Sequence, residues 1–509
     1  MNRANLSPSS FFMSPPWLYR GILFLIFLLG FGIRLYDLTD PPLDFHSTRQ
    51  LWSATIARGM YYQDLDSAPA WQRELAVEAW KEKPVIEPPL FETLVALTYR
   101  LAGGEYLWIP RVYSALFWSI GGLGLFLLAR EMTSAGGAVI ALVYYLFLPF
   151  GAIASRSFQP DPLMVMGIIL AWWAFYHWQR SPTWKGAIIA GVITGLAILV
   201  KFVAVFMLFG GMAMLVLWNG GFKAALKNKQ VWTVAVLSAL PAALYLAYGL
   251  FTSGMASQFD GRFFFELLKN PSHYVRWGSV MMSVVGFSGL LLGLVGILMF
   301  QYPSQRAFVI GLWGGYVVYG LFFPYHFLTH DYYHLPLIPL VALSLAPVAD
   351  GVLRQLAVVN PAKLARFAVL AILFLGIALK MWDIRVELAR SDFRHEPPYW
   401  QALGELIGRD HNVVALTQDY GYRLTYYGWV SVRNWPETRH LKYRQLRGGK
   451  HLEFESWFAE ETEGMDYFLV TRLKELERQK ELRDQLFGHY PIIAEGDGYL
   501  LFDLRGSLP

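Results

Sequence analysis

A single carboxylate, Asp44, stands in the stretch Pro41-Pro42-Leu43-Asp44-Phe45-His46-Ser47-Thr48-Arg49-Gln50, directly after the first long apolar run. One carboxylate at the mouth of a cavity can take the proton of an acceptor hydroxyl as that hydroxyl attacks a sugar. Ordinary glycosidases need two, because the leaving alcohol must be protonated. A lipid-phosphate leaving group departs without that help, so one base suffices. The competing reading is that Asp44 caps the helix that follows, a role worth about 1 kcal/mol. The two prolines cannot continue a helix, and Ser47 and Thr48 suit a first turn. On a helix running from His46 to about Tyr62, the residues His46, Arg49, Gln50 and Ser53 share one face, while Phe45, Trp52, Ile56 and Met60 fall on another. Such a helix is expected to lie flat on a membrane surface with its polar face toward an aqueous cavity.

Further polar residues could serve the same chemistry. Lys83 and Glu87 precede and open Glu87-Pro88-Pro89-Leu90, where a cation would hold a phosphate and Glu87 would orient an acceptor. The plainer reading is a proline-stiffened lead into a helix. Arg156 offers a planar set of donors suited to phosphate oxygens. Asp161 stands before Pro162 and reads mainly as an ordinary helix start. Lys201 interrupts an apolar run, either to snorkel or to meet a phosphate. His326 and the run His330-Asp331-Tyr332-Tyr333-His334 could hold a metal, but their spacing matches no specific metal pattern, and Tyr and His are also common at membrane boundaries.

The elements that must position these groups are membrane helices. Of 509 residues 55% are hydrophobic and 16% charged, against about a quarter charged in a soluble domain. A bilayer needs roughly 20 apolar residues per span. That ruler gives about eleven spans, near 18–36, 108–129, 136–154, 162–179, 184–200, 202–218, 231–251, 277–300, 306–324, 332–348 and 366–382. The first is too long for a signal peptide and lacks a small-residue cleavage site. With Arg3 and Arg20 inside, the inner connections carry Arg130, Arg180, Lys185, Lys223, Lys227, Lys229, Arg306, Arg354, Lys363 and Arg366, as the positive-inside rule requires. The net charge of +5 is explained by these helix-end cations rather than by nucleic-acid binding. The absence of cysteine excludes disulfides, thiolate catalysis and cysteine-ligated metals.

Two parts lie outside the membrane on this reading. The first is one long loop, residues 37–107, holding the amphipathic segment, a polar stretch from Gln63 to Lys83 and a second interfacial helix at Thr93–Leu101. A loop of that length is usually functional. The second begins near Ile384, where charges become dense. Strands are expected at 412–416 and 466–470, a helix at Leu473 to Leu486, and a hairpin over 492–503. The chain therefore divides into a membrane domain, 1–383, and a small α/β domain, 384–509.

The order of motifs resembles a known family. It comprises Asp44 in a long outer loop, Glu87-Pro88-Pro89-Leu90, Arg111-Val112-Tyr113-Ser114-Ala115-Leu116, Arg156-x-x-Gln159-Pro160-Asp161-Pro162, Gly195 to Lys201, and His330-x-Tyr332-Tyr333. It is similar to the GT-C membrane glycosyltransferases of the protein O-mannosyltransferase and lipid A aminoarabinose transferase type, over roughly residues 18–350. The resemblance implies inverting transfer of a sugar from a polyprenyl-phosphate carrier to a lipid, protein or glycan acceptor on the outer face of the cytoplasmic membrane, with the N-terminus inside. It implies Asp44 as the base. The family's Lys-Pro-Pro-Leu motif has Glu87 in place of its lysine here, which passes the phosphate role to Lys83, Arg156 or Lys201. Many members carry Asp-Glu in the first loop where this chain has Asp44-Phe45-His46, so His46 is a candidate for part of the second carboxylate's task. Arg49, Glu87, Asp161, His330, Tyr332 and Tyr333 complete the expected substrate-binding set. No cofactor is required by the sequence, and a divalent metal is left open. A lipid transporter or flippase would call for midspan charges or an inverted repeat, and neither is evident. An assembly scaffold would leave the long polar loop without a purpose.

Overall fold

The computed structural model describes residues 16–84, 86–252, 255, 263–357, 362–446 and 453–506. Arg3 lies outside the described residues. In chain order the first helix is α1 (Pro16–Arg34), and the long loop then folds into α2 (Ser47–Tyr62), α3 (Ala70–Lys81) and α4 (Leu90–Ala102). Then come α5 (Trp108–Met132), α6 (Ala135–Phe147), α7 (Pro149–Ala154), α8 (Asp161–Arg180), α9 (Trp184–Val200), α10 (Ala204–Lys227) and α11 (Lys229–Thr252). The last apolar group is α12 (Pro271–Val285), α13 (Phe287–Met299), α14 (Pro303–Phe322), α15 (Pro324–Thr329), α16 (Leu337–Ala357) and α17 (Ala362–Ala389).

All eleven expected apolar segments fall on helices or helix pairs. Among the described residues, six helices are long and apolar enough to cross a bilayer unaided: Pro16–Arg34, Trp108–Met132, Ala204–Lys227, Lys229–Thr252, Asp331–Ala357 and Lys363–Ala389. The segment expected as one span at 277–300 is broken, because α12 and α13 meet at a bend of 97°. Gly286 forms the hinge with a φ of 75°, a conformation open to glycine at little cost. The expected span at 136–154 is likewise broken, at Leu148, whose extended backbone precedes Pro149. The chain also leaves the helix at Lys201, extended at φ −159° and ψ 118°, which separates α9 from α10.

Close backbone contact holds this last break in place. α10 lies on α14 where Gly210 faces Gly311, and a Cβ on Gly210 would come within 2.3 Å of the Gly311 carbonyl oxygen. Small residues of this kind let membrane helices approach and lock by packing. The main core joins α1, α5, α6, α8, α10, α14 and α16. A second core is built by Leu51, Ala54 and Ala57 of α2, Phe91, Val95 and Tyr99 of α4, and Phe158.

α2 is more deeply enclosed than expected. Its polar residues Gln50, Ser53, Thr55 and Arg58 are buried, while Trp52, Ile56 and Met60 are half-exposed. The polar stripe turns inward because partners wait there: Glu92 for Ser53 and Glu105 for Arg58. α4 has Leu90, Leu94, Leu97 and Leu101 exposed along one side and Phe91, Val95 and Tyr99 buried on the other.

α17 runs on to Ala389, past the boundary expected at 383. After it, α18 (Glu396–Ile407) leads into β1 (Val413–Leu416), β2 (Val432–Asn434), β3 (Tyr467–Val470), β4 (Ile492–Gly496) and β5 (Tyr499–Asp503). The sheet order is β2-β1-β3-β5-β4. β1 is parallel to β2 and β3, and the expected hairpin β4–β5 adds antiparallel strands on β3. The helix expected over Leu473 to Leu486 is split into Leu473–Leu476 and Lys480–His489. Gln479 leaves helical geometry at the break, bonding the Trp435 indole and the Pro436 carbonyl instead.

Candidate active site

Asp44 lies in the turn between α1 and α2 and does not cap α2. The helix begins after His46, which has no side-chain capping bond and a left-handed φ of 48°. The carboxylate is instead held from the body of the protein. Arg111, in the first turn of α5, donates from Nη2 to Asp44 Oδ1 at 2.6 Å. Gln50 Nε2 donates to the same oxygen at 3.1 Å, while Gln50 Oε1 accepts from the Phe158 amide at 2.9 Å. Arg156, in the turn before α8, brings Nε to 3.7 Å from Asp44 Oδ2. Its other nitrogens clamp the carbonyls of Tyr36 and Asp37. Burial alone would raise the Asp44 carboxyl, but the two guanidiniums outweigh it and hold it below the ordinary aspartate range. The side chain keeps 15% of its exposure.

A four-charge cluster forms the neighbouring wall. Arg49 Nη2 donates to Glu87 Oε2 at 2.9 Å. Lys201, freed from helical geometry at the α9–α10 break, donates to both oxygens of Asp161 at 2.9 and 3.0 Å and stands 3.7 Å from Glu87. Burial opposes ionisation of Glu87, yet Lys201 and Arg49 hold its carboxyl below the ordinary range. Two expectations are corrected here. Asp161 does more than start a helix, and Lys201 does not snorkel, because each is the other's buried partner with 1% and 6% exposure.

Lys83 lines one cavity with Arg49, Trp52, Glu87, Glu92 and Pro160. Its ammonium sits 4.1 Å from the Tyr422 ring centre and 5.9 Å from that of Trp52. Among the described residues it forms no ion pair, and burial pushes it down to about 8. Glu92, on α4, accepts from Ser53 Oγ at 2.7 Å, and burial raises its carboxyl above the ordinary range.

The segment before α16 supplies the third wall. His46 Nε2 and Asp331 Oδ1 are 2.6 Å apart. Tyr332 and Tyr333 present their rings to Lys201, 5.2 and 5.6 Å from its nitrogen. His330 packs on both tyrosines, and burial, with His326, His46, Arg49 and Lys201 adding to it, pushes its imidazole down to about 3. His334 is spent elsewhere, on the Tyr316 hydroxyl and the Phe327 carbonyl. Among the described residues no three His, Asp or Glu side chains gather to hold a metal ion.

The C-terminal domain closes over this assembly. Ser47 Oγ and Thr48 Oγ1 donate to Asp419 Oδ1 at 2.6 and 3.0 Å. Asp419 and Tyr420 both have left-handed backbones, with φ of 52° and 57°. Non-glycine residues hold such conformations only where their surroundings fix them. The structure brings Arg49, Glu87, Asp161, Lys201, Tyr332 and Tyr333 together, sets Arg156 beside Asp44, and leaves His334 outside. It adds Arg111, Gln50, Glu92 and Asp419 to the site, and it pairs Asp331 with His46. Arg111 was visible in the sequence as a charge before a long apolar run and as the first residue of the motif Arg111-Val112-Tyr113-Ser114-Ala115-Leu116, without a role attached.

The family model for dolichyl-phosphate-mannose-protein mannosyltransferases matches residues 86–248. No curated protein sequence matches the chain. Among solved structures it is similar to ArnT from Cupriavidus metallidurans in the apo state, with 14% identity and a TM-score of 0.58, covering 95% of this chain and 98% of that one. The same protein bound to undecaprenyl phosphate matches at 13% identity and a TM-score of 0.58, with 96% and 98% covered. The oligosaccharyltransferase AglB from Archaeoglobus fulgidus, in complex with an inhibitory peptide and a dolichol-phosphate, matches at 12% identity and a TM-score of 0.56, with 96% and 74% covered. The chain has the fold of the GT-C glycosyltransferases, as its motif order indicated.

Proposed function

We propose that this GT-C protein is an inverting glycosyltransferase that moves a sugar from a polyprenyl-phosphate carrier to an acceptor on the outer face of the cytoplasmic membrane. Residues 1–383 form the membrane domain, with the N-terminus inside, and residues 384–509 form the outer domain. The reading draws support from the mannosyltransferase family match and from similar structures that carry undecaprenyl phosphate or dolichol-phosphate.

The observation that carries it is the asymmetry of Asp44. Oδ1 is taken by Arg111 and Gln50, whereas among the described residues Oδ2 is paired only with the more distant Arg156. Oδ2 is therefore the oxygen left for an acceptor hydroxyl. As that hydroxyl attacks the sugar C1, its oxygen forms the new bond and its proton passes to Asp44. The bond from C1 to the phosphate oxygen breaks on the opposite side, its electron pair leaving with the polyprenyl phosphate. One displacement of this kind inverts C1. A carboxylate held well ionised is a weak base, which suffices when the leaving group is already good. Lys83, without an ion pair among the described residues and lining the same cavity as Arg49 and Glu87, holds the phosphate. Arg156 and Lys201 add positive charge, and Tyr332, Tyr333 and His330 shape the wall beside Lys201. Charge that develops on the leaving phosphate is thereby met by fixed cations.

The test is transfer by purified protein from radiolabelled polyprenyl-phosphate sugars to a membrane-lipid extract, with Asp44→Asn alongside. Asparagine keeps the shape and a partner for Arg111, so folding is retained. Labelled product from the unaltered protein, reduced at least 100-fold in Asp44→Asn, is the expected result. Normal transfer by a folded Asp44→Asn protein removes Asp44 as the base.

A further inference from the structure

One buried carboxyl in the candidate site stands apart from the others. Asp44, Glu87, Asp161 and Glu105 each have an arginine or lysine nitrogen within 3.0 Å. Glu92, 5% exposed on the first turn of α4, has no ion pair among the described residues. Its one side-chain partner among them is Ser53, whose Oγ donates to Oε1 at 2.7 Å. Oε2 has no side-chain partner there. Burying an ionisable group without an opposite charge is unfavourable. Such a group in the wall of a cavity is a candidate for function, and Glu92 lines the cavity that Arg49, Lys83 and Glu87 also line.

We propose that Glu92 is a specificity-determining residue that hydrogen-bonds a hydroxyl of the donor sugar. The inference rests on the transferase reading, in which Lys83 holds the donor phosphate in this cavity. In a polyprenyl-phosphate sugar a single oxygen joins C1 to phosphorus. The ring lies no further from the phosphate than that link allows, so a phosphate at Lys83 brings it to the wall that carries Glu92. Lys83 and Arg49 answer the charge of the phosphate, and a carboxyl adds nothing to that. A sugar hydroxyl both donates and accepts, and so does a neutral carboxyl. Burial holds the Glu92 carboxyl above the ordinary range, against the bond from Ser53. The group therefore offers an O–H donor beside the oxygen that Ser53 occupies. Trp52 and Trp80 in the same lining give flat apolar surfaces for the C–H faces of the ring. Sites of this make, mostly apolar with a few placed polar groups, fix the orientation of a ligand. One built to bond a hydroxyl rejects the analogue that lacks it, because its own polar group is then left unpaired.

The experiment is isothermal titration into the full-length protein in nanodiscs at pH 7. The ligands are undecaprenyl phosphate and its glucose, mannose and galactose conjugates. The unaltered protein is expected to bind at least one conjugate more tightly than the bare lipid phosphate. Glu92→Leu should weaken that conjugate roughly 3- to 10-fold, as loss of one neutral hydrogen bond does, and leave the bare lipid phosphate unchanged. Glu92→Gln, whose amide still accepts from Ser53 and donates to a hydroxyl, should keep most of the preference. Leucine leaves the buried Ser53 hydroxyl without its acceptor, so Glu92→Leu is also measured together with Ser53→Ala. That double variant removes both ends of the bond and should show the same loss. Monodeoxy forms of the preferred conjugate locate the hydroxyl: one should bind the unaltered protein weakly, and its deficit should vanish in Glu92→Leu.

Equal weakening of conjugate and bare lipid phosphate marks a merely structural role and overturns the proposal. So does a conjugate bound by Glu92→Leu as tightly as by the unaltered protein, or no preference for any conjugate in the unaltered protein. A preference that depends on Glu92 in a protein that transfers no labelled sugar defeats the transferase reading and leaves the sugar contact standing. Transfer accompanied by a preference indifferent to Glu92 does the reverse.

Discussion

Replacing Lys83 with methionine keeps the stem that covers Tyr422 and removes the ammonium 4.1 Å above its ring. Lys83 forms no ion pair among the described residues, so the change breaks no salt bridge there, and folding is expected to survive. A hydrogen bond from an ammonium to a charged group contributes about 1.5–3 kcal/mol, so the dissociation constant for polyprenyl phosphate should rise about 10- to 150-fold. The pH dependence is the sharper signature. Burial lowers the free ammonium to about 8, and a bound phosphate raises it again by favouring the charged form. Below pH 8 Lys83 is already charged and binding involves no proton. Above pH 8 binding must first protonate it, so affinity falls by about tenfold per pH unit until the raised value in the complex is passed. Isothermal titration of undecaprenyl phosphate into nanodisc-held protein from pH 6.5 to 10 reads both effects. Lys83→Met should bind weakly and without that alkaline slope. Wild-type affinity in the variant, or an alkaline slope that survives in it, refutes the placement of the phosphate at Lys83.

Two further outcomes concern buried charge. Lys201→Met strands Asp161, which is 1% exposed, and breaking a buried pair from one side costs about 3–5 kcal/mol. Adding Asp161→Asn should return most of that loss in a thermal unfolding measurement, and a double variant no more stable than the single one contradicts the pairing. Glu92 works in the opposite sense. Burial raises its carboxyl, against the bond from Ser53, so the folded protein holds that proton more tightly than the unfolded chain does. Its contribution to stability is therefore full below the ordinary glutamate range and is lost as pH rises through the raised folded value. Glu92→Gln should flatten the decline in melting temperature between pH 5 and 8, and an unchanged decline places its cause elsewhere.

The parts legible in the sequence were those governed by short-range rules. Apolar length located the helices, and turn residues isolated Asp44 and the Arg156 to Pro162 turn. The break at Lys201 was visible as a lone charge in an apolar run. What stayed hidden was pairing across the chain. Arg111 and Asp44 are 67 positions apart, His46 and Asp331 are 285, and Ser47 and Asp419 are 372. No periodicity encodes such distances. The same blindness hid how deeply α2 is enclosed, because a polar stripe faces water or a set of buried carboxylates with the same spacing. The bend at Gly286 was missed for a related reason. The apolar run continues through it, and only the backbone angle reveals the turn.

That bend has a mechanical consequence for the lipid around the protein. α13 has 13 residues, a length of about 20 Å, against a hydrocarbon thickness of about 30 Å. Phe287, Leu291, Leu294 and Leu298 nevertheless stand exposed along it. To cross a bilayer alone, an apolar face this short would need the membrane to thin around it, at a cost of fractions of a kcal/mol per Å. Acyl-chain length in the surrounding membrane thus becomes a variable that acts on this side of the molecule. α13 packs on α16, and α16 follows directly from the turn that carries Asp331, Tyr332 and Tyr333, so one packed helix separates this lipid-facing side from that turn.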